Sequence, residues 1–211
     1  EENNRVGDWK WYAENGRLVK QAFYDSDGLA DGEWIYFIHG NHANPPTMDH
    51  YWMPRNWGED HLLPRNPDGN GHAGGTMAPG GAVLRFRPDG TRWEMVSNGF
   101  RNPFDLAFNE HGDLFAYDAD MEWDLGMPWY RPTRICHVLP GAEWGWRNGT
   151  GKWPVYYEDS LSPVVDIGPG SPTGALSGLG GKFPASYQRA IYFLDWTFAT
   201  IHAVHLEQDG S

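Results

Sequence analysis

Two stretches carry side chains whose types and spacing could do chemistry. In the first, Arg101 and Asn102 stand immediately before Pro103. A residue preceding proline is confined to extended or turn backbone, so the pair is expected in a bend that offers both side chains from a loop at one end of a sheet. An arginine supplies a planar fork of donors suited to a carboxylate, and the adjacent asparagine adds a donor and an acceptor. In the second, Asp118, Asp120, Glu122 and Asp124 crowd together just after an apolar run. Hard oxygen ligands at that density suit Ca2+ better than a transition metal, since no thiolate or regularly spaced His pair accompanies them. The same acids could equally cap turns and face water.

The elements that must position these groups read as strands. Apolar runs are short, rich in Val, Ile, Tyr, Phe and Trp, and stopped by Asp-Gly, Asn-Gly or Gly-Gly. Strands are expected at 33–39, 82–87, 92–97, 105–109, 113–118, 134–139, 163–167, 174–178, 190–195 and 201–206, with no long helix among them. The 27 glycines and 16 prolines agree with a chain dominated by turns. So many strands in succession imply a sandwich, a barrel or a propeller. A weak repeat favours the propeller. EWIYFIHG with AVLRFRPDGT, GDLFAYDAD with TRICHVLPGAEW, and RAIYFLDW with TIHAVHLEQDGS share one order of strand, polar end and second strand. Units recurring about every 50–65 residues are the size of propeller blades with loops. Three to four such units do not close a ring, so the expectation is an all-β, six-bladed type of propeller present in part, as one domain over 1–211 with no second domain. A sandwich with similar hairpins is the alternative. An insertion from 40 to 81, holding His42, His50, His61 and His72, is expected to pack over a site.

Composition narrows the function. With 16 Lys and Arg against 28 Asp and Glu, the formal charge of −12 disfavours nucleic acid and anionic lipid. No stretch reaches the roughly 18 apolar residues of a membrane span. The single cysteine, Cys136, has no internal partner for a disulfide, and no thiol cluster is available for zinc or iron–sulfur.

The succession PGGAVLRFRPDG, GFRNPFDLAFNEHGDLFAYDAD and PGAEWGWRNG resembles the soluble quinoprotein glucose and sorbosone dehydrogenase superfamily. It is closer still to the membrane-bound dehydrogenase-like propellers of the Planctomycetes and Verrucomicrobia type, in which GPGSPTG, a Lys-Phe-Pro and a strand ending in Asp-Trp recur, as at 168–174, 182–184 and 190–196 here. The resemblance spans residue 18 to the C-terminus. It implies an extracytoplasmic, periplasmic or membrane-associated, oxidoreductase that oxidises a sugar or alcohol with pyrroloquinoline quinone (PQQ). Electrons would pass to a c-type haem domain of the same parent chain, outside this segment. Arg101 and Asn102 match the pair that lies against PQQ, and Asp118, Asp120, Glu122 and Asp124 fall in the loop that supplies Ca2+ ligands. That loop departs from the family's Glu/Gln-His/Gln-Gly-Pro run, reading Asp-Ala-Asp-Met-Glu here.

The family's catalytic base is a histidine preceding the first strand pair, but the matching run FYDSDGLADGEW has none. If the chemistry is retained, His39 or His42, at the end of the first repeated strand, is the candidate to take the substrate's hydroxyl proton; both could also be ordinary loop histidines. His111, His137, His202 and His205 are expected to be structural. A non-catalytic propeller that binds carbohydrate or a partner protein is the other reading, with Trp52, Trp57, Trp123, Trp129, Trp144 and Trp146 as stacking surfaces for sugar rings. The twelve tryptophans could instead be core.

Overall fold

The computed structural model describes residues 7–12, 18–24, 34–55, 79–122, 127–128, 130–147 and 161–207. They form thirteen strands and a single helical turn. Strands β1 (Gly7–Tyr12) and β2 (Leu18–Tyr24) pair as an antiparallel hairpin. Next come β3 (Ile35–His39), β4 (His50–Tyr51), β5 (Gly81–Phe86) and β6 (Glu94–Phe100), which assemble in the order β3-β5-β6-β4. The second sheet holds β7 (Leu106–Phe108), β8 (Leu114–Asp118), β9 (Thr133–His137) and β10 (Val165–Gly168) in simple succession. In the third, β11 (Pro172–Ser177), β12 (Ile191–Asp195) and β13 (Thr200–Val204) follow one another, with the one-turn helix α1 (Ala185–Gln188) between the first two.

All the expected strands are present, with ends displaced by a few residues. Three further strands carry no clear signal in the sequence. The segments forming β1 and β2 mix charge with aromatics, so the Asn15-Gly16 dipeptide between them stands without clear apolar runs on either side, and β4 has only two residues, too few for a period. Strand β4 also pairs parallel to β6, so no hairpin turn announces it.

Alternation along each strand explains how three sheets stack. On β8, Leu114 and Ala116 join Val83, Val96 and Phe100 of the first sheet in one buried cluster. The intervening Phe115 and Tyr117 join Ala175, Ile191 and Phe193 of the third sheet in another. A strand buried on both faces is hydrophobic throughout, which is why LFAY shows no polar alternation. Each buried aromatic or branched side chain of this kind contributes about 1.5–3 kcal/mol through removal of apolar surface from water. Successive sheets, antiparallel but for the short β4, packed face to face through such clusters have the arrangement of propeller blades, and the chain is an all-β, partial propeller. The far face of the third sheet is uncovered: Leu176, Leu194 and Ile201 are exposed there.

Candidate functional site

Strands β3 and β6 both run antiparallel to β5, so they end on the same side of the first sheet. That side gathers the candidate residues. Gly99 has φ +78°, a conformation favouring glycine, and interrupts the β5–β6 register as a bulge. A Cβ there would collide with the Glu143 carboxylate. Glu143 accepts from the Gly145 amide at 2.8 Å and from Arg147 Nη1 at 2.9 Å, all buried. The bulge ends β6 and starts the bend 101–103, in keeping with the restriction that Pro103 imposes.

The bend is fixed by Asp118, at the end of β8. Its Oδ1 accepts the amides of Arg101 at 3.0 Å, Asn102 at 2.9 Å and Ala119 at 3.1 Å. Its Oδ2 accepts Nε and Nη2 of Arg134 at 3.0 and 2.9 Å. Asp118 is fully buried, a state a carboxylate tolerates only with a counter-charge and donors on both oxygens. Burial opposes the charge of Arg134, but the Asp118 carboxylate outweighs it and the guanidinium pKa is raised.

Asp120 and Glu122 lie farther out. Tyr130 donates a hydrogen bond to Asp120, as does the Gly170 amide. Burial, then the neighbouring Glu122 charge, raises the Asp120 pKa. Burial and the Asp120 carboxylate push the Tyr130 phenol well above its ordinary value. Glu122 is exposed and stands 3.5 Å from Arg101 Nη2. Among the described residues no three His, Cys, Asp or Glu side chains are gathered so as to hold a metal ion. Of the residues expected to hold calcium, Asp118 is occupied by N–H donors, Asp120 pairs with the Tyr130 phenol and Glu122 with the Arg101 guanidinium. Asp124 lies outside the described residues.

His39 ends β3 beside the same bend. Asn41 N–H donates to the Arg101 carbonyl at 3.0 Å, and a Cβ on Gly40 would strike Asn102 Oδ1. His39 Nδ1 lies 2.9 Å from the Gly40 carbonyl. A carbonyl only accepts, so this contact places the proton on Nδ1 and leaves Nε2 as the acceptor. Nε2 is buried and has no partner among the described residues. Burial lowers the His39 pKa below its usual value, the Gly40 carbonyl only partly opposing it, so the ring is neutral near pH 7. His42 sits exposed in the turn closed by the Ala43 amide on the Gly40 carbonyl.

The structure thus brings His39, Arg101 and Asn102 to one end of the sheets, with Asp118 behind them. The sequence reading missed Arg134, Tyr130 and the Glu143–Arg147 pair. The spacing of four between Glu143 and Arg147 was visible but ambiguous, and Arg134 faces Asp118 only through the register of β8 and β9. The tryptophan reading also changes. Trp144 and Trp146 are buried, and Trp52 is partly exposed with its indole N–H on Glu94. Trp57, Trp123 and Trp129 lie outside the described residues.

No family model and no curated protein sequence matches the chain. Solved structures do. A proposed oxidoreductase (glucose dehydrogenase) from Thermus thermophilus superposes with TM-score 0.52 at 16% identity, covering 95% of this chain and 52% of that one. Another glucose dehydrogenase superposes with TM-score 0.51 at 13% identity, over 95% and 64% of the two chains. The PQQ-bound aldose sugar dehydrogenase of Streptomyces coelicolor, at TM-score 0.49 and 14% identity over 90% and 55%, is too loose a match to bear on the fold. The chain spans less than two thirds of the length of each of these structures, and its fold is a β-propeller like theirs, present in part.

Proposed function

We propose that the chain forms part of a PQQ-dependent dehydrogenase of sugars or related alcohols, with its site on the face that carries His39, Arg101 and Asn102. One observation carries this reading: a neutral, partly buried His39, whose buried Nε2 has no partner among the described residues, lies at the strand end that touches the Arg101–Asn102 bend. An orphaned buried acceptor costs about 1–3 kcal/mol, a cost that a donating substrate hydroxyl removes.

Arg101 and Asn102 fit the carboxylate-rich quinone, since a bent loop offers a planar fork beside an amide. Bound there, PQQ supplies a two-electron acceptor for hydride from an alcohol carbon. His39 Nε2 takes the hydroxyl proton, and burial keeps that atom unprotonated beforehand. Glu122, exposed beside Arg101, holds the guanidinium until the anion replaces it. Calcium does not fit the described carboxylates as a set, and no step is assigned to it. We place the enzyme outside the cytoplasm, passing electrons to a c-type haem domain.

Dye-linked oxidation of an aldose series by the PQQ-loaded full protein tests the reading. Turnover that falls at least about 100-fold in His39→Ala supports it; absence of turnover with every aldose and simple alcohol contradicts it.

A further inference from the structure

The three repeated strands end on equivalent residues: His39 on β3, Asp118 on β8 and Asp195 on β12. In two sheets the residue does the same work. Asp118 takes the amides of residues 101 and 102, which lead into β7. Asp195 takes the amide of Ser171 at 2.7 Å, which leads into β11, and also that of Phe198 at 3.1 Å. Gly170 cannot carry a Cβ without meeting Asp195 Oδ2. A strand-end carboxylate thus folds the loop entering its own sheet. The further partner differs: Arg134 grips Asp118 from the neighbouring strand, whereas the Tyr117 phenol bonds Asp195.

We infer that Asp118 is a positioning residue: with Arg134 behind it, its carboxylate sets the Arg101–Asn102 bend so that both side chains are arranged before any cofactor arrives. This rests on the reading above for what the bend binds, though not for the clamp. The geometry favours it for three reasons. Oδ1 faces the loop amides and Oδ2 faces the guanidinium, with the Arg101 amide also 3.2 Å from Oδ2, so the carboxylate cannot rotate without breaking its contacts with Asn102 and Arg134. Full burial removes water as a substitute partner. Fixing the backbone at two consecutive amides removes entropy that a binding loop would otherwise lose on association. Asn in place of Asp118 keeps the shape but turns one acceptor into a donor, which then faces N–H groups.

The test compares wild type with Asp118→Asn and, as the matched strand end of another sheet, Asp195→Asn. Amide hydrogen exchange and PQQ affinity are read in the full protein. Asp118→Asn should speed exchange at Arg101 and Asn102 by about tenfold or more and weaken PQQ by a similar factor, with the sugar KM little changed once PQQ saturates. Asp195→Asn should speed Ser171 and leave Arg101, Asn102 and PQQ affinity as they were. Should Asp118→Asn not fold, Arg134→Lys keeps the charge, breaks the two-pronged contact and should show the same pattern more weakly. Unchanged exchange at Arg101 and Asn102 in the folded variants overturns the inference, as does an equal loss of PQQ affinity in the Asp195 variant. If wild type binds no PQQ, the functional reading fails while the exchange measurement still decides the clamp.

Discussion

The Arg134 guanidinium lies opposite Asp118 on the neighbouring strand and bonds a single oxygen, Oδ2, through both Nε and Nη2. The other oxygen is thereby left to backbone amides. A charge pair this deep adds little to stability by itself, because desolvation offsets attraction, but removing one member strands the other. Arg134→Met should accordingly destabilise the fold by about 3–5 kcal/mol, measured by urea unfolding. A change below about 1 kcal/mol would show that the carboxylate finds other compensation.

His39 gives a pH signature of its own. Its pKa is lowered in the folded state, so the unfolded chain binds more protons as the pH falls below 6.5. The stability associated with the neutral ring is complete above that pH and is lost as pH falls through the folded pKa. Thermal midpoints of wild type minus His39→Gln, scanned from pH 8 to 4.5, should be flat above 6.5 and fall below it. A flat difference across the whole range would mean the ring is not buried in neutral form.

Much of the fold was legible because a residue such as Phe115 sits between sheets and must be apolar, and because Asp-Gly turns punctuate the hairpins. The bend at Arg101–Asn102 was legible from Pro103, whose restriction of the preceding residue is local. What the acids after β8 do was not. Composition gathers Asp118, Asp120 and Glu122 into one patch, yet Asp118 is the last residue of β8 and faces Arg134 across the ladder, while Glu122 lies beyond the strand end in water. Register across β8 and β9, which decides this, involves residues far apart in the chain. His39 was visible as a histidine at a strand end, but its orphaned nitrogen depends on burial by other segments.

Gly40 separates His39 from Asn41, and Asn102 Oδ1 occupies the space that a Cβ on Gly40 would need. Gly40→Ala meets the end of a side chain rather than backbone, so the fold should survive while the Asn102 amide swings away. The expected outcome is an unchanged unfolding midpoint with PQQ affinity weakened about tenfold, equivalent to one hydrogen bond. Unaltered affinity would remove Asn102 from the site.

Glu94 tests the first sheet away from the candidate site. Its buried carboxylate receives Arg85 Nη2 at 2.7 Å, Arg92 Nε at 3.0 Å and the Trp52 indole at 3.1 Å. Glu94→Ala should cost about 2–4 kcal/mol, mainly from the uncompensated Arg85, while leaving PQQ binding intact in the folded fraction.

The exposed face of the third sheet makes a prediction about solution behaviour. Leu176, Leu194 and Ile201 form an apolar surface of the kind that drives association when uncovered. Leu194→Lys with Ile201→Lys should raise the solubility of the 211-residue chain and lower its light scattering. Equal scattering from both would locate the sticky surface elsewhere.

The most direct test of the central claim is calorimetric titration of PQQ into the full protein and into Arg101→Ala. One PQQ per site in the wild type, weakened at least about tenfold without Arg101, is the expected result. No binding to the wild type, or equal binding to both, would contradict a quinone site on this face.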